Sequence, residues 1–77
     1  MNNYYEAIEN KYGDVYRAMY NLSVQHDNLM GKCIDWGFMD KTANEYVELR
    51  KDQGKMTDEE AKQFIAGWNH YLDRAFN

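Results

Sequence analysis

The residues of this sequence whose types could support catalysis or metal binding are its two histidines, its single cysteine and a few closely spaced carboxylates. His26 and Cys33 are seven positions apart, which matches none of the short zinc-ligand spacings, and the sequence holds no second ligand pair. His70 and Asp73 lie one helical turn apart, as in a histidine–carboxylate pair, but no nucleophile belongs to the same pattern. We therefore interpret His26 as a packed or interfacial side chain, and His70 with Asp73 as part of a solvated helix surface.

Glu6 and Glu9 are likewise one turn apart, and paired carboxylates bind metals in some helical bundles. Those sites also use Glu-x-x-His units, which this sequence lacks. Phosphate-binding glycine loops and the Gly-x-Ser-x-Gly nucleophile motif are absent from it as well. The sequence therefore predicts a protein that is not an enzyme and that has neither a metal site nor a cofactor.

Length and composition narrow the class of protein further. With 77 residues the chain is expected to form one domain, residues 1–77, and its formal charge of −4 argues against a dedicated nucleic-acid binder. A single cysteine is typical of a reducing compartment, so we expect a cytoplasmic protein. The first residues lack the basic and apolar regions of a signal peptide, and no apolar run approaches the length of a membrane span.

The C-terminal segment has the clearest helical pattern. Thr57 and Glu60 have the spacing of a capping box, and acidic side chains fill the turn that follows, where the helix dipole favours negative charge. Apolar residues then recur at helical spacing to form one stripe: Ala61, Phe64, Ile65, Trp68, Leu72, Ala75 and Phe76. We predict a helix over residues 58–76, with Trp68 as its core anchor.

The middle segment repeats this pattern less completely. Thr42 with Glu45 is a second capping-box pair, Asp40 is a competing cap, and Gly54 is placed to end the helix in the left-handed conformation. We predict a helix over residues 41–53. Its inner face is expected to carry Ala43, Tyr46, Val47 and Arg50, with Leu49 alongside.

The N-terminal half carries a long heptad-like pattern. Its members are Tyr5, Ile8, Tyr12, Val15, Met19, Leu22, His26, Leu29, Cys33 and Trp36. Gly13 and Gly31 weaken this pattern without ending it, and we place the turn at Gly37 to Asp40. A helix of that length would be ~50 Å long, against a diameter of roughly 30 Å for a compact monomer. The predicted fold is therefore an all-α bundle, in which a long N-terminal helix, continuous or kinked, precedes two shorter helices, and we favour a homo-oligomer paired through the heptad pattern.

Tyrosines are enriched in the first twenty residues, and they suggest a binding surface. Tyr12 belongs to the heptad pattern, whereas Tyr16 and Tyr20 step off it toward the flank, beside Arg17. Tyrosine offers a large contact area with a polar tip, and arginine can pair with a carboxylate or a phosphate. We predict Tyr12, Tyr16, Arg17 and Tyr20 as binding residues, with Tyr16 and Tyr20 exposed. The alternative is that these rings fill a self-association interface.

Two resemblances bear on function. Short, acidic, tyrosine-rich chains with few cysteines resemble the accessory and inhibitor proteins of bacteriophages and mobile elements, which implies a non-catalytic protein that binds and blocks a host protein. Gly37-Phe38-Met39 resembles an element of the small helical phage proteins that sequester cyclic nucleotides. The chain departs from that family where Asp40-Lys41-Thr42-Ala43 follows in place of Arg-Ala.

Two further functions are open to such a chain. The first is an oligomeric sponge that would hold a nucleotide-type small molecule between tyrosines and basic groups at a subunit interface. The second is a small helix-turn-helix regulator. Three helices fit that architecture, but the negative net charge and the lack of a basic recognition helix argue against direct binding of nucleic acid.

Overall fold

Three α-helices account for most of residues 3–76, the part of the chain that the computed structural model describes. They are α1 (Asn3–Met30), α2 (Trp36–Asp52) and α3 (Asp58–Phe76), and no strand occurs in these residues. Each helix contacts the other two, which makes a three-helix bundle with extents of 36 × 34 × 17 Å. The predicted all-α architecture is confirmed, with a long first helix and two shorter ones, while the homo-oligomer stays a prediction. None of these three helices has an apolar stretch long enough to cross a membrane.

Helix α3 begins and ends where its sequence pattern predicts. The capping box is present: the Glu60 amide donates to Thr57 Oγ1 at 3.1 Å, and the Thr57 amide donates to Glu60 Oε1 at 2.9 Å. These two bonds satisfy donors that the first turn of a helix leaves free. Trp68 is only 1% exposed, which confirms it as a core residue.

Helix α2 begins at Trp36, five residues before the predicted start at position 41. Its N-cap is Asp35, whose Oδ1 accepts the Phe38 amide at 3.1 Å. The predicted caps Asp40 and Thr42 both lie inside the helix, where the Thr42 hydroxyl donates to the Phe38 carbonyl at 2.8 Å. The prediction of these caps is wrong. Several Asp and Thr residues in this segment are suitable N-caps, and the position at which the preceding turn ends decides which of them caps the helix.

The C-terminal end of α2 follows the prediction at Gly54. This glycine has φ +70°, and the Lys55 amide closes the last turn by donating to the Arg50 carbonyl at 2.9 Å. The Gly54 amide adds a second bond, to the Lys51 carbonyl, which completes a Schellman motif.

Helix α1 ends at Met30, so the predicted turn at Gly37 to Asp40 is wrong. Gly31 adopts φ +68°, a left-handed conformation that costs residues with a side chain roughly 1–2 kcal/mol. The Lys32 amide then donates to the Asp27 carbonyl at 2.9 Å, which is the same motif that ends α2. Gly31 therefore ends the helix, although the sequence pattern suggested that it would not.

The heptad pattern predicted the end of the first helix wrongly because its last members belong to other elements. Cys33 lies in the turn of residues 31–35, and Trp36 is the first residue of α2. Upstream of that turn, α1 is one unbroken helix that continues through Gly13. The alternative in which the first helix is broken at Gly13 is therefore not adopted.

The buried face of α1 is shifted relative to the heptad pattern. Ile8 and Met19 are buried, as the pattern predicts, but Leu22 and Leu29 are 49% and 87% exposed. Three residues outside the pattern are buried instead: Tyr16, Ser23 and Asp27. A heptad pattern describes contact with one partner helix, whereas α1 contacts both α2 and α3 and must bury a wider face.

The core draws apolar side chains from all three helices and from the α2–α3 turn: Ile8, Tyr16, Met19, Met39, Ala43, Val47, Met56, Ala61, Phe64, Trp68 and Leu72. Helices α1 and α3 approach closely at Gly67. A Cβ atom at this position would lie 2.5 Å from Ile8 Cγ2 and would overlap the Tyr16 hydroxyl. The close packing of these two helices therefore requires glycine at position 67.

Gly67→Ala should destabilise the bundle, although alanine is the better helix former by about 0.8–1.0 kcal/mol. We expect the free energy of unfolding to fall by about 1–3 kcal/mol, because Ile8 and Tyr16 must move to admit the methyl group. Gly13→Ala is the matched control, since no atom lies within 4 Å of a Cβ added there. It should stabilise the protein by up to about 1 kcal/mol. Chemical denaturation followed by circular dichroism measures both effects, and equal effects would contradict the close approach at Gly67.

Asp35 makes the N-cap of α2 sensitive to pH. Its carboxylate accepts the Phe38 amide and lies 3.2 Å from both His26 Nε2 and Lys32 Nζ. These contacts lower the pKa of Asp35 from 3.8 to about 2. Because the pKa is lower in the folded state, the charged cap stabilises the fold above about pH 4, and this contribution is lost as the pH falls toward about 2.

We expect the wild type to lose more stability between about pH 4 and about pH 2 than Asp35→Asn does, since asparagine also caps helices but does not titrate. Asp40→Asn removes the same charge from an exposed position of α2, and its pH profile should follow that of the wild type. Thermal melts across this range measure the difference. Parallel profiles for the wild type and Asp35→Asn would show that the cap is not linked to pH.

Candidate binding surface

The predicted binding tyrosines belong to a continuous array of aromatic rings between the helices. Neighbouring ring centroids in this array lie 5.0–6.3 Å apart, within the usual range for aromatic pairs. Its members are Tyr46, Phe64, Tyr12, Tyr16, Trp68, Tyr71, Tyr20, Phe76 and Trp36. Tyrosines of α1 thus supply rings against which the aromatic side chains of α3 pack. Much of the tyrosine enrichment in α1 therefore serves the packing of the helices.

Tyr16 lies at the centre of this array and is fully buried. Its hydroxyl donates to the Phe64 carbonyl at 2.7 Å. Burial raises the pKa of the Tyr16 hydroxyl well above its ordinary value of 10.0. The prediction that Tyr16 is exposed on a flank of α1 is wrong, because α3 covers that face. In this position the side chain supports the fold and does not reach a ligand.

Tyr16→Phe should lower the free energy of unfolding by about 0.5–1.5 kcal/mol, because it removes one buried hydrogen bond. Tyr16→Ala should cost about 3–5 kcal/mol, which is a large part of the stability of a domain this small. Tyr4→Phe removes the same hydroxyl from a residue that is 50% exposed, so it should change stability by less than about 0.5 kcal/mol. Urea denaturation compares the three variants. If Tyr16→Phe were as stable as Tyr4→Phe, the buried hydroxyl would contribute nothing.

The other predicted binding residues are divided between the array and the surface. Tyr12 is partly buried within the array, and Tyr20 packs against Phe76 near its end, with 5.8 Å between the ring centroids. Arg17 is exposed on the outer side of α1. The structure therefore brings the three tyrosines together and leaves Arg17 outside the array, and the binding roles of Tyr12, Arg17 and Tyr20 stay predictions.

One end of the array reaches the surface, where it forms an apolar surface that we call the aromatic patch. It consists of Val24, Ile34, Trp36 and Phe76, which are 41%, 37%, 49% and 37% exposed. Trp36 and Phe76 pack edge to face, with 5.1 Å between their ring centroids. The four residues come from α1, the α1–α2 turn, α2 and the last turn of α3. Large apolar side chains that are distant in sequence thus share one exposed surface.

Two depressions lie at the aromatic patch. The wider one, of about 540 Å³, is lined by Ile34, Trp36 and Phe76 together with buried Leu72 and exposed Asp73. The narrower one, of about 140 Å³, has residues of α1, the α1–α2 turn and α3 in its walls, among them Tyr20, Val24, Asp27, Ile34 and Phe76. Asp27 is only 5% exposed, and no donor within residues 3–76 reaches its Oδ1. A carboxyl group is therefore buried at the narrower depression, whose lining is partly polar and partly apolar.

Of the residues that the sequence singled out for chemistry, the two histidines pack against aromatic rings. His26 stacks on Phe38 with 3.8 Å between the ring centroids, in agreement with its interpretation as a packed side chain. His70 stacks on Tyr5 at 4.2 Å and is partly buried, so its assignment to a solvated surface is wrong. Cys33 is an exposed thiol in the α1–α2 turn. Within residues 3–76, no three His, Cys, Asp or Glu side chains are grouped to hold a metal ion.

A second apolar depression, of about 410 Å³, lies between α1 and α2. Its walls include Val15, Ala18, Met19, Leu22 and Tyr46. Val15, Met19 and Leu22 belong to the heptad pattern for which self-association is predicted. Because Ile8 and Met19 of that pattern are already buried within the chain, only part of it is free to contact a second copy.

Sequence reasoning missed most of the aromatic patch. By spacing, Phe76 belongs to the apolar stripe of α3 and Trp36 to the heptad pattern, while neither pattern includes Val24, Asp27 or Ile34. The sequence does contain a signal for the exposure of Trp36. If Asp35 caps a helix, the next residue lies in the exposed first turn of that helix. No local signal marks Asp27, because its burial depends on the way the chain turns back at Gly31.

Comparisons of the chain with protein-family models, with curated proteins and with solved structures returned no match. Neither the three-helix bundle nor the aromatic patch is therefore assigned a function by resemblance to a known protein.

Proposed function

We propose that this is a non-catalytic protein-binding domain, which binds a partner protein through the aromatic patch and blocks the surface that it covers. The observation that supports this proposal is the exposure of Val24, Ile34, Trp36 and Phe76 at one site. Folded domains rarely leave adjacent large apolar side chains exposed unless the surface binds something. Tryptophan and other aromatic side chains at the centre of such surfaces contribute most of the binding energy.

The aromatic patch is held in place by the fold. Phe76 packs on Tyr20 of α1 and on Trp36 of α2, and Trp36 directly follows the N-cap Asp35. Side chains that are positioned before binding lose less conformational entropy in the complex. A preorganised apolar surface on a small helical body suits an inhibitor, which acts by occupying a surface of another protein.

The partner that we propose is a host protein of a bacteriophage or mobile element. The support for this step is the resemblance in size, acidity and tyrosine content to the inhibitor proteins of those elements. The geometry indicates the chemistry of the partner surface, which must be apolar where it meets Trp36.

The contacts of the tyrosines favour a protein partner over a nucleotide. A nucleotide sponge would need exposed rings beside free basic groups. Tyr16 is buried, and Lys11, which lies 5.2 Å from the centre of the Tyr12 ring, pairs with Glu60 at 3.2 Å. A helix-turn-helix regulator would need a recognition helix whose first turn can approach DNA, whereas α3 begins with three acidic residues.

Removing the aromatic rings of the patch should weaken binding strongly and leave the fold intact. We expect Trp36→Ala to raise the Kd for the partner about thirtyfold, or about 2 kcal/mol, as for a central aromatic anchor. Adding Phe76→Ala should weaken binding further. The measurement is a quantitative pull-down from lysates of candidate hosts, followed by calorimetric titration of each purified captured protein. Circular dichroism checks that the variants fold.

Leu49→Ala is the matched control for this experiment. Leu49 is also large and apolar and is 54% exposed, but it lies near the opposite end of α2, outside the aromatic patch. A captured protein that binds the wild type and Leu49→Ala but not the Trp36→Ala/Phe76→Ala variant supports the proposal. Equal binding of every captured protein by all three forms would overturn it.

A further inference from the structure

Asp27, in the narrower depression, is a buried acid that the aromatic contacts of the proposed function do not explain. Burying a carboxyl group costs free energy unless hydrogen bonds or an opposite charge compensate it. Asp35 shows such compensation, since it accepts the Phe38 amide and contacts the His26 ring and the Lys32 ammonium group. Asp27 is 5% exposed, yet no donor within residues 3–76 reaches its Oδ1. The described residues thus supply no compensating bond to this oxygen, and a cation that enters the depression would compensate the acid.

Aromatic and aliphatic side chains form one part of the lining of this depression, and Asn28 and Cys33 form another. Tyr20, Ile34 and Phe76 line the same depression, and the rings of Tyr20 and Phe76 meet at 41°. The volume of about 140 Å³ is close to the roughly 150 Å³ of a protein cavity that admits benzene. A planar group of similar or smaller size therefore fits. Ile34 and Phe76 also belong to the aromatic patch, so that group enters from the surface on which we place the partner.

We propose that this depression binds an arginine side chain of the partner protein. The inference rests on the proposed function and adds the chemistry of the partner's anchor to it. The guanidinium group pairs with the carboxylate of Asp27 and stacks on the Phe76 ring, while its aliphatic stem packs against Ile34. Arginine is also enriched among the residues that dominate protein–protein interfaces.

Charge and shape favour arginine over other cations. The chain carries a net charge of −4, and Asp73 lines the neighbouring depression, so the patch attracts a cationic segment. Guanidinium is planar and weakly hydrated and stacks on aromatic rings, whereas the lysine ammonium is compact and strongly hydrated. A calcium or magnesium ion would need several oxygen ligands, and no three carboxylates are grouped within residues 3–76.

The test uses the whole chain and three small probes: the N-acetyl amides of arginine, citrulline and lysine. Citrulline has nearly the shape of arginine but no charge. Nitrogen-15 NMR titration should show saturable shifts of the amides of Asp27, Ile34 and Phe76 with the arginine probe, with a Kd in the millimolar range. Citrulline and lysine probes should bind at least about fivefold more weakly, because they lack the charge or the planar fork.

Two variants complete the experiment. Asp27→Asn keeps the size of the side chain and removes its charge, so it should abolish the saturable shifts. Its stability should equal or exceed that of the wild type, since an uncompensated buried carboxyl group is lost. Asp73→Asn removes the same charge from an exposed position beside Phe76 and should still bind the arginine probe.

The proposal is overturned if no saturable shift appears, if citrulline or lysine binds as tightly as arginine, or if Asp27→Asn binds arginine like the wild type. The probes need no partner, so this result is independent of the pull-down. A partner that depends on Trp36 but binds Asp27→Asn with full affinity would leave the protein-binding function standing and remove its arginine anchor. Binding of the arginine probe without capture of any protein would support the arginine site and leave the protein-binding function without support.

Discussion

The burial of Tyr16 between α1 and α3 is the interaction on which the other parts of the structure depend. Its hydroxyl is satisfied by the Phe64 carbonyl, and its ring packs on Trp68 and Tyr71. Gly67 provides the space for this contact, because any side chain there would strike the hydroxyl. The position of α3 on α1 then decides where Phe76 meets Trp36. The core contact and the exposed aromatic patch are therefore two ends of one rigid arrangement.

Local signals in the sequence predicted the elements that local interactions determine. The capping box of Thr57 and Glu60 and the helix end at Gly54 require only residues within one or two turns, and both are present. The end of α1 was not predicted, although Gly31 carries the same signal as Gly54. A heptad pattern that runs on through Cys33 to Trp36 masked it. Whether the chain turns at Gly31 depends on how α2 packs against α1 and α3, which no local pattern contains.

The candidate site was less accessible to prediction than the fold. Tyrosine enrichment in α1 suggested an exposed binding surface, but the same residue type serves a core and an interface, and the choice depends on which face α3 covers. Tyr16 became a core residue, while Tyr20 became a support for Phe76. The patch itself joins residues from four segments of the chain. Proximity of that kind arises only from tertiary packing, so composition and spacing could not reveal it.

The long separation between the partners of the central contact has a consequence for synthesis of the chain. Tyr16 and Phe64 are 48 residues apart, whereas the caps and helix ends are completed within a few residues. On a ribosome that adds roughly 5–20 residues per second, the tyrosine face of α1 waits about 2–10 s for its partner helix. During that interval an amphipathic helix with unpaired aromatic rings is open to chaperones and to neighbouring nascent chains.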